Sequence, residues 1–237
     1  MGTTIENLLK HPAIWRLKDK VSSNNGEETG YPKLNAELPD GGWPLGSLTE
    51  LLCNQTGIGE ISLLMPVFKR FSQEGRNIVL ISPPYLPFAR ALEANDIRLE
   101  RLVVVESSKD NFAWVTERII KAKSCGIVVA WDIAHTNYAQ LRRLHLSAEN
   151  SNALCMLYRS LNALQAPSPA PLRLALKAST HGLEVQIAKR KGALMAKSIS
   201  LPMFPPDWVP LEESLQRPIA NDARQLASKP TVRQTVQ

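Results

Sequence analysis

TGYPKLNAELPDGGWPLGSLTELLCNQTGIGEISLL, residues Thr29 to Leu64, contains a turn (Pro39 to Gly42), a short extended run (Ser47 to Leu52), a glycine-containing loop (Asn54 to Gly59) and an apolar helix start. That order is the layout of a phosphate-binding strand-loop-helix. A working loop reads G-x-x-x-x-G-K-[ST]. Its backbone N–H groups cradle the phosphates, its lysine neutralises them and its hydroxyl holds magnesium. Aligned on Gly59, with Gly57 inside the loop, the first glycine is Asn54, the lysine is Glu60 and the hydroxyl residue is Ile61. A carboxylate in place of the lysine repels a triphosphate, and isoleucine cannot ligate a metal.

Downstream, Ile61 to Glu74 carries Ile61, Leu64, Met65 and Phe68 at helical spacing and is closed by Gly75. Asn77 to Ser82 reads as a buried parallel strand. Phe88 to Asn95 predicts a short helix, and Leu102 to Val105 a strand. A helix over Asp110 to Lys123 ends at Gly126, and a strand over Ile127 to Ala130 follows. Thr136 to Asn150 predicts a helix with Tyr138, Leu141, Leu144, His145 and Ala148 inward, and Ala153 to Tyr158 a further strand. This alternation argues for a parallel sheet with helices on both faces. Beyond the proline-rich bridge of Ser160 to Pro171, Leu172 to Ala178 and Leu183 to Ala188 read as an antiparallel hairpin. The hairpin runs into Lys189-Arg190-Lys191-Gly192, and Ser198 to Leu201 follows.

Thr29-Gly30, Gly41-Gly42, Pro44-Leu45-Gly46 and Thr49-Glu50-Leu51-Leu52, followed by GIGEISLL and later SPPYLPFARAL, resemble the core of the RecA recombinases. They are closest to the ImuA/SulA family of degenerate RecA relatives from bacterial DNA-damage responses, with the likeness running from about Ile14 to Phe204. The resemblance implies a RecA-like P-loop NTPase core with a C-terminal antiparallel hairpin extension. Helical spacing, polar composition and proline content divide the chain into an N-terminal helical segment (1–20), a flexible linker (21–30), the core domain (31–204) and a disordered tail (205–237). In the recombinases a glutamate just past the second strand activates the attacking water; the matching position here is Pro84. The magnesium-holding acid matches Ala130 or Trp131, with Asp132 just beyond and more simply read as a cap or turn residue. The resemblance therefore implies a pseudo-ATPase without cofactor or metal.

The same likeness implies an accessory protein of damage-induced, error-prone translesion synthesis. Its partners would be the recombinase and an ImuB-like, catalytically inactive relative of the Y-family polymerases. The alternative is a SulA-like inhibitor of the tubulin-like division GTPase. Trp15 and Arg16, in Ile14-Trp15-Arg16-Leu17, fit packing on a neighbouring protomer, which implies self-association, or on the chain's own core. Lys189, Arg190 and Lys191 fit either a protein interface or a solvated hairpin end. One DNA-gripping loop of the recombinases is missing and the other is reduced to the cation-poor bridge, which disfavours direct nucleic-acid binding.

Composition agrees with a single main domain: 237 residues with 44% hydrophobic content. The net charge of +6 permits an acidic partner, but basic residues form no dense run. Cys53, Cys125 and Cys155 are odd in number and far apart, which suggests neither a disulfide framework nor a zinc site. With isolated histidines and no signal-peptide or membrane-length apolar segment, the expectation is a cytoplasmic protein without a membrane partner. Gly57-Ile58-Gly59 only approximates a dinucleotide fingerprint, since Ser82 stands where an acid should hold the ribose. No nucleophile elbow or Cys/His pair is present. Ser200 to Phe204 loosely resembles a sliding-clamp docking peptide, though the exit of a last strand explains it more simply.

Overall fold

The computed structural model describes residues 26–192, 198–205 and 207–210. Trp15, Arg16, the rest of the N-terminal segment and the tail after 210 lie outside the described residues. The strands are β1 (Ser47–Cys53), β2 (Asn77–Ile81), β3 (Leu102–Val105), β4 (Cys125–Trp131), β5 (Leu154–Ser160), β6 (Leu172–Ser179), β7 (Gly182–Lys189) and β8 (Ile199–Leu201). The helices are α1 (Pro32–Asn35), α2 (Met65–Gln73), α3 (Ala89–Ala94), α4 (Phe112–Lys121) and α5 (Tyr138–Glu149), with a 3-10 turn at Ile61–Leu64 leading into α2.

All eight strands join one sheet in the order β3-β2-β4-β5-β1-β6-β7-β8. The first six are mutually parallel, β7 is antiparallel to β6, and β8 is antiparallel to β7. The chain is thus a mixed α/β protein with a mostly parallel sheet flanked by helices. Central parallel strands are buried on both faces, which is why β2, β4 and β5 read as unbroken apolar runs. On one face Val67, Phe68 and Phe71 of α2 pack against Leu51, Ile78, Leu80, Ile127 and Val129. On the other, Phe112 and Ile120 of α4 and Leu141, Leu144 and Ala148 of α5 cover Leu48, Val79, Ile81 and Val128. Phe68 and Phe71 are both fully buried, each contributing about 1.5–3 kcal/mol by removal from water.

Local chemistry sets the helix ends. The α2 helix stops at Gly75, whose φ of +77° lets the Arg76 N–H turn back onto the Phe71 carbonyl at 2.8 Å. The α5 helix starts at a capping box, in which Asn137 and Gln140 exchange side-chain-to-backbone hydrogen bonds of 3.0 Å in both directions.

Four expectations are corrected. Gly126 does not end a helix: α4 stops at Lys121, the left-handed turn falls at Lys123, and Gly126 lies inside β4. A Cβ there would approach Phe71 Cδ2 to 2.8 Å and the Arg76 side chain to 2.9 Å. Tyr138 is 47% exposed instead of buried. It is the first residue of α5, ahead of the buried stripe that begins at Leu141. The end of the expected linker is held in the fold: Glu27 and Trp43 exchange backbone hydrogen bonds of 2.7 and 2.8 Å, and Glu27 pairs with Arg70. The start of the expected tail is also held, with Trp208 packed against the core and Val209 bonded to Asn95.

Candidate functional site

Parallel strands point their carboxyl ends to one rim of the sheet, and ligands of such folds bind there, where successive connections leave to opposite faces. The connections after β1 and β2 cross the face of α2 and α3, and those after β3 and β4 cross the face of α4 and α5. A cavity of about 270 Å³ opens at that rim. It is lined by Cys53 and Asn54 at the end of β1, Ser82 and Pro84 after β2, Trp131 and Asp132 after β4, and Tyr158 and Arg159 in β5. Trp131 stacks on Tyr158 with ring centroids 5.0 Å apart.

The glycine loop forms the flank of this cavity. Gly57 and Gly59 have φ of +80° and +86°, conformations that favour glycine, and they turn the chain sharply after the exposed Asn54. The turn carries Glu60 inward, to 5% exposure, and its Oε1 accepts the Gly57 N–H at 3.1 Å. The loop's own carboxylate thus occupies one of the loop's backbone donors. The Glu60 carbonyl accepts the Tyr158 hydroxyl at 2.6 Å, and burial raises that hydroxyl's pKa well above the ordinary tyrosine range. Cys53 is pushed up to about 11, first by burial and then by the charge of Glu60. Ile61 opens the 3-10 turn and offers no ligand atom. Among the described residues, no group of three or more His, Cys, Asp or Glu could hold a metal ion.

Beside the cavity lies an ionic chain that the sequence analysis did not assemble. Glu50, fully buried in β1, accepts Arg159 Nη1 at 3.1 Å, the Ser168 hydroxyl at 2.8 Å and Arg173 Nε at 2.6 Å. Arg159 Nε donates to Asp132 at 2.9 Å and its Nη2 to the Thr136 carbonyl at 2.9 Å. Arg173 also holds the carbonyls of Ala163 and Ala166, at 2.6 and 3.3 Å. Every nitrogen of both guanidiniums therefore has a partner. The available signal was one charged residue inside each of three apolar strands, TELL, LYRS and LRLAL. Asp132 is a turn residue, accepting the Thr136 N–H and hydroxyl, and an ion-pair partner as well.

Pro84 is exposed in the segment after β2, and Ser82 before it has a φ of +51°. Of the basic trio, Lys189 donates to the Ser168 carbonyl at 2.7 Å, Arg190 binds the Glu37 carbonyl, and Lys191 is exposed. The trio therefore separates: two members fasten the end of β7 to neighbouring segments and the third faces outward. His145 is a half-buried rim histidine whose Nδ1 accepts the Leu48 N–H at 3.4 Å, and burial lowers its pKa. Leu201 of the clamp-like peptide is buried in β8, and Pro202, Met203 and Phe204 lie beyond the strand and are exposed. No helix among the described residues is long and apolar enough to cross a membrane.

The fold and rim define a mixed α/β protein with a mostly parallel sheet, a glycine loop after β1 and the Glu60 carboxylate folded back onto that loop. Compared with protein-family models and with curated proteins, the chain matches none.

Proposed function

We propose that this chain is a non-catalytic, RecA-like adaptor of the ImuA type, serving error-prone translesion synthesis through contacts with a recombinase and an ImuB-like polymerase relative. The observation that carries the non-catalytic part is the buried Glu60 residue, whose carboxylate sits on the Gly57 N–H. A phosphate entering the loop would have to displace that bond and then lie against a like charge, which a low-dielectric site makes costly.

Three further features support the reading. Arg159, the one cation among the residues lining the cavity, has all three nitrogens engaged, so it cannot replace the missing lysine without breaking the ionic chain. Pro84 has no proton-accepting side chain. The bridge between β5 and β6 is stapled to the sheet through Ser168 and through the Ala163 and Ala166 carbonyls, unlike a loop that must wrap a nucleic-acid strand. The assignment of partners comes from the motif resemblance of Thr29 to Leu64 and SPPYLPFARAL.

The test is an affinity pull-down of the tagged chain from DNA-damaged cells, alongside calorimetric titration with ATP. Recovery of the recombinase and a Y-family-like subunit, with a flat titration at millimolar ATP, is the expected result. Recovery of the division GTPase instead would move the assignment to the SulA-like alternative. ATP hydrolysis that depends on Glu60 would overturn the adaptor reading.

A further inference from the structure

Beyond β8 the described residues stay on the surface of the core. Residues 202–205 and 207–210 cross the α2 side of the sheet, passing Gly59, where an added Cβ would lie 3.5 Å from Met203 Cγ. They end in a groove made by Gly30, Met65, Pro66, Lys69 and Gln73 on one wall and Asn95 on the other. Asn95, 5% exposed, is built to read a peptide backbone. Its Oδ1 accepts the Val209 N–H at 2.6 Å, and its Nδ2 donates to the Val209 carbonyl at 3.2 Å and to the Ala91 carbonyl at 2.7 Å. Trp208 supplies the aromatic anchor, packed against the core and stacked on Phe204 at 5.7 Å. Asp207 supplies the charge, 3.3 Å from Lys69, which also pairs with Asp96 at 3.1 Å.

The groove thus recognises three consecutive positions by three different means: a carboxylate by Lys69, an aromatic ring by apolar contact, and the backbone of the third residue by a buried amide. Its present occupant fills it incompletely, leaving a cavity of about 300 Å³ against Met65, Pro66 and Gln73. Phe204 and Met203 remain 47% and 41% exposed on the strap.

We propose that this groove is a peptide-docking site for a segment with the order acidic, aromatic, aliphatic on a partner chain. The strap Asp207-Trp208-Val209 acts as an intramolecular stand-in that such a segment displaces. Tethering gives the strap an effective concentration in the millimolar range, so the groove stays closed to weak competitors and opens to a segment that also fills the remaining cavity. Displacement would release Phe204 and Met203 together with Trp208 and uncover the flank of the glycine loop at Gly59. The inference stands on the groove and not on the adaptor reading, and its test does not depend on which proteins are recovered from cells.

The experiment titrates a fluorescein-labelled, end-blocked peptide of residues 205–210 (PPDWVP) with the full chain, following anisotropy. The Trp208→Ala chain, whose strap has lost its anchor, is expected to bind the peptide at least tenfold more tightly than the unsubstituted chain. Adding Asn95→Ala is expected to abolish the gain, as is replacing the tryptophan of the peptide by alanine. Should the Trp208→Ala chain lose its cooperative melt, Val209→Pro takes its place, since it removes the N–H that Asn95 accepts while keeping the tryptophan. A folded Trp208→Ala or Val209→Pro chain that binds no better than the unsubstituted one, or binds equally with and without Asn95, would overturn the proposal.

Discussion

Glu60 acts on its surroundings as well as on the loop. Cys53, half-buried at the end of β1, has its pKa raised to about 11, with burial the larger cause and the Glu60 charge the second. At pH 8 about one Cys53 thiol in a thousand is then ionised, and only the thiolate is the nucleophile. Alkylation of Cys53 by iodoacetamide should therefore be slow at pH 8 and should climb as pH approaches 11. Glu60→Gln removes the negative charge that opposes thiolate formation, so the profile should move to lower pH and the rate at pH 8 should rise. Mass-spectrometric mapping separates Cys53 from buried Cys155, whose own pKa is pushed up to about 12. An unchanged Cys53 profile in the Glu60→Gln chain would mean that the carboxylate's charge does not reach Cys53. That residue 60 is a carboxylate beside two glycines was legible in the sequence, because it is a matter of residue type and spacing. The fold-back of Glu60 was not: it depends on the left-handed turns at Gly57 and Gly59 that swing residue 60 inward.

At the scale of elements, register decides which charges meet. Glu50 lies opposite Arg173 in the β1–β6 pairing, and Arg159 lies opposite Leu52 in the β1–β5 pairing. A shift of one residue in either strand would send those side chains to the other face. The strands themselves were legible from their apolar runs, but the pairing that assembles the chain of charges was not, since parallel neighbours are set by crossovers and not by adjacent sequence. A buried ion pair contributes little against an apolar replacement, yet removing one partner strands the other and costs about 3–5 kcal/mol. Glu50→Leu should therefore lower the melting temperature by roughly 6–20 °C at the sensitivity typical of domains this size. The cost has two parts, because Arg159 and Arg173 each lose a carboxylate. Glu50→Leu combined with Arg173→Leu should recover part of the loss, and the cycle of single and double variants followed by thermal melts measures the coupling. Strict additivity would show that the two groups do not act as a unit. Breaking this chain should also loosen the bridge between β5 and β6, which Arg173 and Ser168 hold to the sheet.

For the whole molecule, the sheet order builds a rim of strand carboxyl ends, where such folds bind ligands, while separate positions of that rim oppose an anion. The loop donor at Gly57 is taken by Glu60, which is itself a carboxylate, and Pro84 stands exposed past β2. If the geometry is intact, one substitution should recover anion binding but not turnover. Glu60→Lys frees the Gly57 N–H and places a cation beside the loop, whereas Glu60→Ala frees the N–H alone. With a dissociation constant of about 100 µM, 1 mM tripolyphosphate stabilises a folded protein by about 1.4 kcal/mol. That corresponds to roughly 3–6 °C in melting temperature for a chain of this size. The unsubstituted chain should show no shift, Glu60→Ala a smaller one and Glu60→Lys the full one. None of the three should release phosphate from ATP, because proline at position 84 supplies no base and isoleucine at 61 no metal ligand. A shift in the unsubstituted chain equal to that of Glu60→Lys would mean that the carboxylate does not block the loop. No shift in the Glu60→Lys chain, if its own melt is otherwise unchanged, would mean that the loop backbone itself has lost the phosphate-binding shape.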